Sequence, residues 1–153
     1  MLAHLPAANL YIVPHLTLLS ARTNARFMVT GRLLLHFGID ALLTDARARV
    51  LEDAGYEVVI AETRSAALRI LRSRAVNLVL ACHSVPPNEL EAAVREIRRL
   101  KQRVPVVVVH VGGLIRPQRS LADGFVDGLR GPEHLLSQVA AYVTRGNTAA
   151  AAS

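Results

Sequence analysis

From Gly31 onward, apolar residues follow two alternating spacings. Short unbroken apolar runs read as strands buried on both faces. Longer stretches with an apolar residue every third or fourth position read as helices laid against them. The first run is Leu33–Phe37, ending at Gly38. Asp40 offers an N-cap, and Leu43, Ala46, Val50 and Ala54 predict a helix over 41–54, stopped by Gly55. Residues 56–61 predict the second strand. Thr63 can cap a second helix whose apolar stripe is Ala67, Leu68, Leu71 and Ala75. A third strand over 77–82 closes in the turn Val85-Pro86-Pro87, and a helix over 89–103 turns Leu90, Val94, Ile97 and Leu100 inward. Residues 105–111 hold four consecutive valines, a strong strand signal. The stretch 112–123 is the least periodic and predicts a loop with a short or irregular helix. Residues 125–129 predict a last strand, and Gly131-Pro132 opens a closing helix over 133–144.

Five strands alternating with helices predict an α/β fold: a doubly wound parallel sheet in three layers, αβα. Ligand sites in such sheets lie at the carboxyl ends of the strands. That rule directs attention to Gly38 to Asp40, Cys82 to Ser84, His110 to Gly113, and Arg130-Gly131.

The first thirty residues do not share this rhythm. The apolar stretch from Asn9 to Leu19 is broken by Pro14 and His15, too short to span a bilayer, and lacks the charged start of a secretory signal. Residues 1–30 are expected to form a poorly ordered extension, with Met28 as an alternative start of translation. Residues 31–146 form the domain, and 147–153 a disordered tail. No membrane association is expected. One cysteine cannot make an internal disulfide, so a cytoplasmic location is expected.

The net charge is +6, carried by seventeen arginines and Lys101. Nucleic-acid binding would gather that charge on one face and supply aromatic stacking residues. Here arginines such as Arg47, Arg49, Arg69, Arg72, Arg95 and Arg98 are spread along the chain, on the expected solvated faces of helices. Aromatic residues make up only 4%, so nucleic acid is not the expected partner.

Several segments, in order, resemble the receiver domain of bacterial response regulators, of the chemotaxis-protein type. Val50-Leu51-Glu52-Asp53-Ala54-Gly55-Tyr56-Glu57-Val58-Val59 is similar to the end of its first helix and its second strand. Asn77-Leu78-Val79-Leu80 with Val85-Pro86 resembles the phosphoacceptor strand and the proline turn after it. Arg95-Glu96-Ile97-Arg98-Arg99-Leu100, then Val104-Pro105-Val106-Val107-Val108, resembles the third helix and fourth strand. The resemblance implies a flavodoxin-like five-stranded sheet of order 2-1-3-4-5.

It also implies where the family's chemistry would sit. The acidic pair that holds magnesium falls at Gly38 and Ile39, leaving only Asp40 nearby. The phosphoacceptor aspartate falls at Cys82, and the hydroxyl residue ending strand four at His110. The lysine before the last proline falls at Gly131, and the aromatic switch position at Gly128. Aspartyl phosphorylation needs a carboxylate nucleophile, a cation held by oxygen ligands and a balancing positive charge. None stands at these positions, so the chain reads as a pseudo-receiver, without cofactor or metal and without enzymatic activity.

Three sharper readings remain beside that one. Cys82 and His110 are expected to point into one shallow pocket, where an imidazole could activate a thiol and Asp40 could orient the histidine. Cys82, His83, His110 and His36 could approach a zinc ion, although strand alternation sets Cys82 and His83 on opposite sides. A partly exposed Cys82 could serve as a thiol redox sensor. Gly112-Gly113 matches neither phosphate-loop pattern and reads as a turn.

Receivers present the face of their last two helices and last strand to partners. Here that face spans Arg116 to Arg145, where Phe125, Val126, Leu129 and Tyr142 are the candidate apolar contacts. The expected role is a stand-alone module that binds a signalling protein such as a histidine kinase, with a homodimer as a further option.

Overall fold

All five apolar runs become strands of one parallel sheet in the computed structural model, which describes residues 31–112 and 122–151. In chain order the elements are β1 (Leu33–Phe37), α1 (Ala41–Asp53), β2 (Glu57–Ala61), α2 (Arg64–Ser73), β3 (Leu78–Cys82), α3 (Pro87–Arg99), β4 (Val106–His110), β5 (Gly124–Asp127) and α4 (Pro132–Ala151). A single 3-10 turn, Gly128–Arg130, joins β5 to α4. The strand order is β2-β1-β3-β4-β5, as the resemblance implied. The expected extension over 1–30 and most of the loop over 112–123 lie outside the described residues.

Alternation along each strand divides the core in two. Leu34, Leu78, Leu80, Val107, Val109 and Val126 face α1 and α4, against Leu51, Leu135, Val139 and Val143. Leu35, Phe37, Val79, Ala81, Val106 and Val108 face α2 and α3, against Leu68, Leu71, Val94 and Ile97. The three central strands β1, β3 and β4 are buried on both faces almost throughout, which is why their sequences are unbroken apolar runs, while the edge strands β2 and β5 are only partly covered. The caps form as expected: Asp40 accepts from Leu43 N at 3.1 Å and Thr63 from Ala66 N at 3.1 Å.

Five boundaries or faces differ from expectation. The inward face of α1 is Thr44, Arg47, Ala48 and Leu51, with Ala54 just past its end, instead of Leu43, Ala46 and Val50. Leu51 is fully buried and sets the helix phase. One residue's rotation then carries two polar side chains inward, and apolar periodicity could not see them. Pro86-Pro87 is not only a turn, because Pro87 opens α3, where its missing N–H costs nothing. That helix stops at Arg99, ahead of the expected 103, since Leu100 adopts extended backbone. Ala75 falls beyond the end of α2 and is exposed. Finally, α4 runs through Ala151, so residues 147–151 continue the helix and are not a separate tail. An alanine run has the highest helix propensity.

Candidate functional site

Cys82 is the last residue of β3 and is fully buried on the side of the sheet that faces α1. Arg47, rotated inward by the phase of α1, reaches it. Its Nη1 donates to Cys82 Sγ at 3.0 Å, and only 9% of Arg47 is exposed. No carboxylate of the described residues lies within ion-pair distance of this guanidinium. A second nitrogen, His83 Nδ1, stands 3.7 Å from the sulfur. His83 can turn back because β3 ends at Cys82, so the strand alternation expected to separate the two residues no longer applies.

His110 does not share a pocket with Cys82. In the β3–β4 register Cys82 is level with Val109, so the two side chains share a face and His110 points away from it. Asp40 does not orient His110 either, because its carboxylate caps α1 at Leu43 N. Three or more metal-ligating side chains do not come together among the described residues. His36, one of the zinc candidates, is fully buried within β1 with both ring nitrogens unpartnered. Burial first, and the Arg47 charge second, push its pKa from 6.5 to about 4, so the ring is neutral at pH 7. The Thr44 main chain acts weakly in the opposite direction, though neither ring nitrogen meets it in hydrogen-bonding geometry. The His83 pKa is lowered by the same two causes, opposed by Asp40.

The mouth of the site is closed by short polar links. Ser84 Oγ accepts from Ile39 N at 3.1 Å and from Asp40 N at 3.3 Å, tying the loop after β1 to the loop after β3. Gly38 lies beneath this link. A Cβ there would stand 2.5 Å from Thr44 Cγ2 and 2.8 Å from Cys82 Cβ, so no larger residue fits without displacing its neighbours. Thr44 is held in place by its hydroxyl, which donates to the carbonyls of Asp40 and Ala41.

No protein-family model and no curated protein matches the chain. Solved structures do match it. The chemotaxis response regulator CheY4 of Vibrio cholerae aligns with a TM-score of 0.63 at 19% identity, over 72% of this chain and 98% of that one. A CheY-like receiver domain protein from Methanospirillum hungatei JF-1 aligns at 0.67 and 21% identity, over 76% and 97%. The chain has the fold of a response-regulator receiver domain. NtrX from Brucella abortus aligns at 0.69 and 22% identity over 78% of this chain, but over only 28% of its own longer chain.

Within this receiver fold, the positions that the resemblance marked do gather at the carboxyl end of the sheet. Gly38 and Cys82 are in contact distance, while Ile39 and Asp40 are exposed at the rim. His110 ends β4, level with Asp127 of β5. Gly131, with φ of 84°, precedes α4 and has open space around it. Gly128 lies just past β5, not on it as expected, and a Cβ there would come within 3.0 Å of Arg47 Nη2. In this chain an arginine from α1 thus fills the space between the ends of β3 and β5.

Sequence reasoning missed Arg47 because apolar periodicity places it on a solvated helix face. The signal that would have found it is the phase fixed by Leu51 and Ala54: stepping back three and four residues reaches Ala48, Arg47 and Thr44.

The candidate partner residues separate by burial. Val126 is fully buried in the α1/α4 side of the core, and Phe125 packs partly against the opposite cluster. Tyr142 packs against the same core as Val126, with its ring on Gly124, where a Cβ would overlap it. Val126 is therefore a core residue, while Phe125 and Tyr142 are half-buried. Leu129 alone of the four is open, at 68% exposure.

Proposed function

We propose that this chain is a pseudo-receiver: a signal-transduction module that binds a signalling protein and does not carry phosphate on an aspartate. One observation carries the reading. The side chain at the phosphoacceptor position, Cys82, is buried with the Arg47 guanidinium on its sulfur. A phosphorylatable receiver needs an exposed carboxylate beside a metal, and here the sulfur is covered by a fixed cation. Closure around Gly38 supports the same reading, since a metal-binding carboxylate at that position would collide with Thr44.

Partner binding is then the remaining role, with a histidine kinase or another signalling protein as the class of partner and self-association as an alternative. No described helix is long and apolar enough to cross a membrane. A cytoplasmic site of action belongs to the proposal. Complete burial of Cys82 counts against the redox-sensor alternative, because an oxidant must reach the sulfur.

Incubating the purified protein with acetyl phosphate and magnesium, and then assaying for acid-stable, base-labile acyl phosphate, tests the reading. We expect no incorporation. Labelled protein, lost on treatment with hydroxylamine, would overturn it.

A further inference from the structure

The opposite pole of the sheet carries a second feature, formed at the amino ends of the strands. A cleft of about 740 Å³ opens between the α3–β4 connection and α4, with Arg98, Lys101, Gln102, Arg103 and Asp123 in its walls. A volume of this size suits a small ligand. The walls are tied down. Arg98 donates to Val104 O and to Asp123 Oδ2, and the same carboxylate oxygen accepts from Val106 N. Gln102 Oε1 accepts from Val76 N, bridging the α3–β4 connection to the segment before β3.

These links leave an imbalance. Arg98 and Asp123 neutralise each other. Lys101 and Arg103, both exposed at the rim, have no hydrogen bond or ion pair among the described residues. Cations just past a helix end often serve its free carbonyls. Neither of these donates to such a carbonyl among the described residues, so the end of α3 does not account for them. In the same wall, Gln102 Nε2 is buried with no acceptor among the described residues. A second, shallower hollow that shares Lys101 adds Arg72 and Arg74, of which Arg74 is paired with Glu57.

We propose that this cleft binds a small, multiply charged phosphate compound, with Lys101 and Arg103 as its charge-bearing contacts. Two neighbouring cations with no anionic partner among the described residues fit a diphosphate better than a single carboxylate. The cleft has no aromatic wall on which nucleobases could stack, which disfavours a nucleic-acid strand.

Isothermal titration of the full chain with inorganic pyrophosphate, and in parallel with adenosine diphosphate, at about 0.1 M salt tests the site. We expect saturable binding, weakened by about tenfold or more in the K101A/R103A double variant. A second double variant, R49A/R69A, removes the same charge from exposed helix positions outside the cleft and is expected to bind like the parent. Equal affinity for the two probes means that the diphosphate group is what the site holds. Tighter binding of the nucleotide means that the cleft also takes up the nucleoside. Absence of saturable binding by either probe, or an equal loss in the two double variants, overturns the proposal.

Discussion

Arg47 Nη1 donates to the sulfur of Cys82 at 3.0 Å, joining the middle of α1 to the end of β3 across 35 positions of sequence. A guanidinium buried without a carboxylate is costly, because burial removes hydration that a thiol contact replaces poorly. The surroundings should therefore welcome a negative charge at position 82 only while Arg47 is present.

Two substitutions test this pair. Arg47→Met removes the buried charge and keeps most of the volume, so its stability is expected to stay within about 1 kcal/mol of the parent. Cys82→Asp is expected to fold in the parent background, where the guanidinium can pair with it. In the R47M background the same change is expected to cost about 3 kcal/mol more, since the carboxylate is left buried and alone. Urea denaturation of the four proteins measures the coupling. If C82D costs the same in both backgrounds, Arg47 does not govern the charge that this site accepts.

Gly38 is set by close approach. Gly38→Ala is expected to cost roughly 1–3 kcal/mol through the contacts with Thr44 Cγ2 and Cys82 Cβ. Thr44→Ser deletes that methyl and keeps the hydroxyl bonds to Asp40 and Ala41, so it should recover part of the loss. A neutral G38A variant would show that the neighbours yield freely.

His36 makes stability depend on pH. Its folded-state pKa, about 4, lies below the unfolded value of 6.5. Protonation therefore favours the unfolded chain. The contribution is complete above about pH 6.5 and is lost as pH falls through 4, amounting to about 3 kcal/mol at the acid limit. Leucine at this position has no proton to gain, and it also removes two unpartnered buried nitrogens. The urea midpoint of His36→Leu is expected to fall less than that of the parent between pH 6.5 and 4. Parallel curves would assign the acid sensitivity to other groups.

Val126 and Leu129 are three residues apart and have opposite roles. Val126→Ala is expected to cost about 2 kcal/mol, because it opens a gap in the core beneath α4. Leu129→Ser should change stability by no more than about 0.5 kcal/mol, since the side chain faces solvent. Thermal melts separate the two. If L129S melts well below the parent, Leu129 belongs to the packing and not to a free surface.

The alternation of apolar runs and helical stripes carried enough information to place five strands and the helices between them. Burial on both faces of a parallel sheet leaves an uninterrupted apolar signature, and Asp40 and Thr63 mark helix starts through local hydrogen bonds. The positions around Cys82 were also legible, since strand ends in this topology converge whatever side chains they carry. What stands in the site was not legible. The rotation of α1 depends on how Leu51 seats against the sheet, and that contact carries Thr44 and Arg47 inward with it. In the same way, the β3–β4 register turns His110 away from Cys82, and the end of β3 releases His83 toward it. Sequence periodicity reports which residues prefer to be buried. Only packing between elements distant in sequence decides which polar side chains are buried with them, and so places a guanidinium on the sulfur of Cys82.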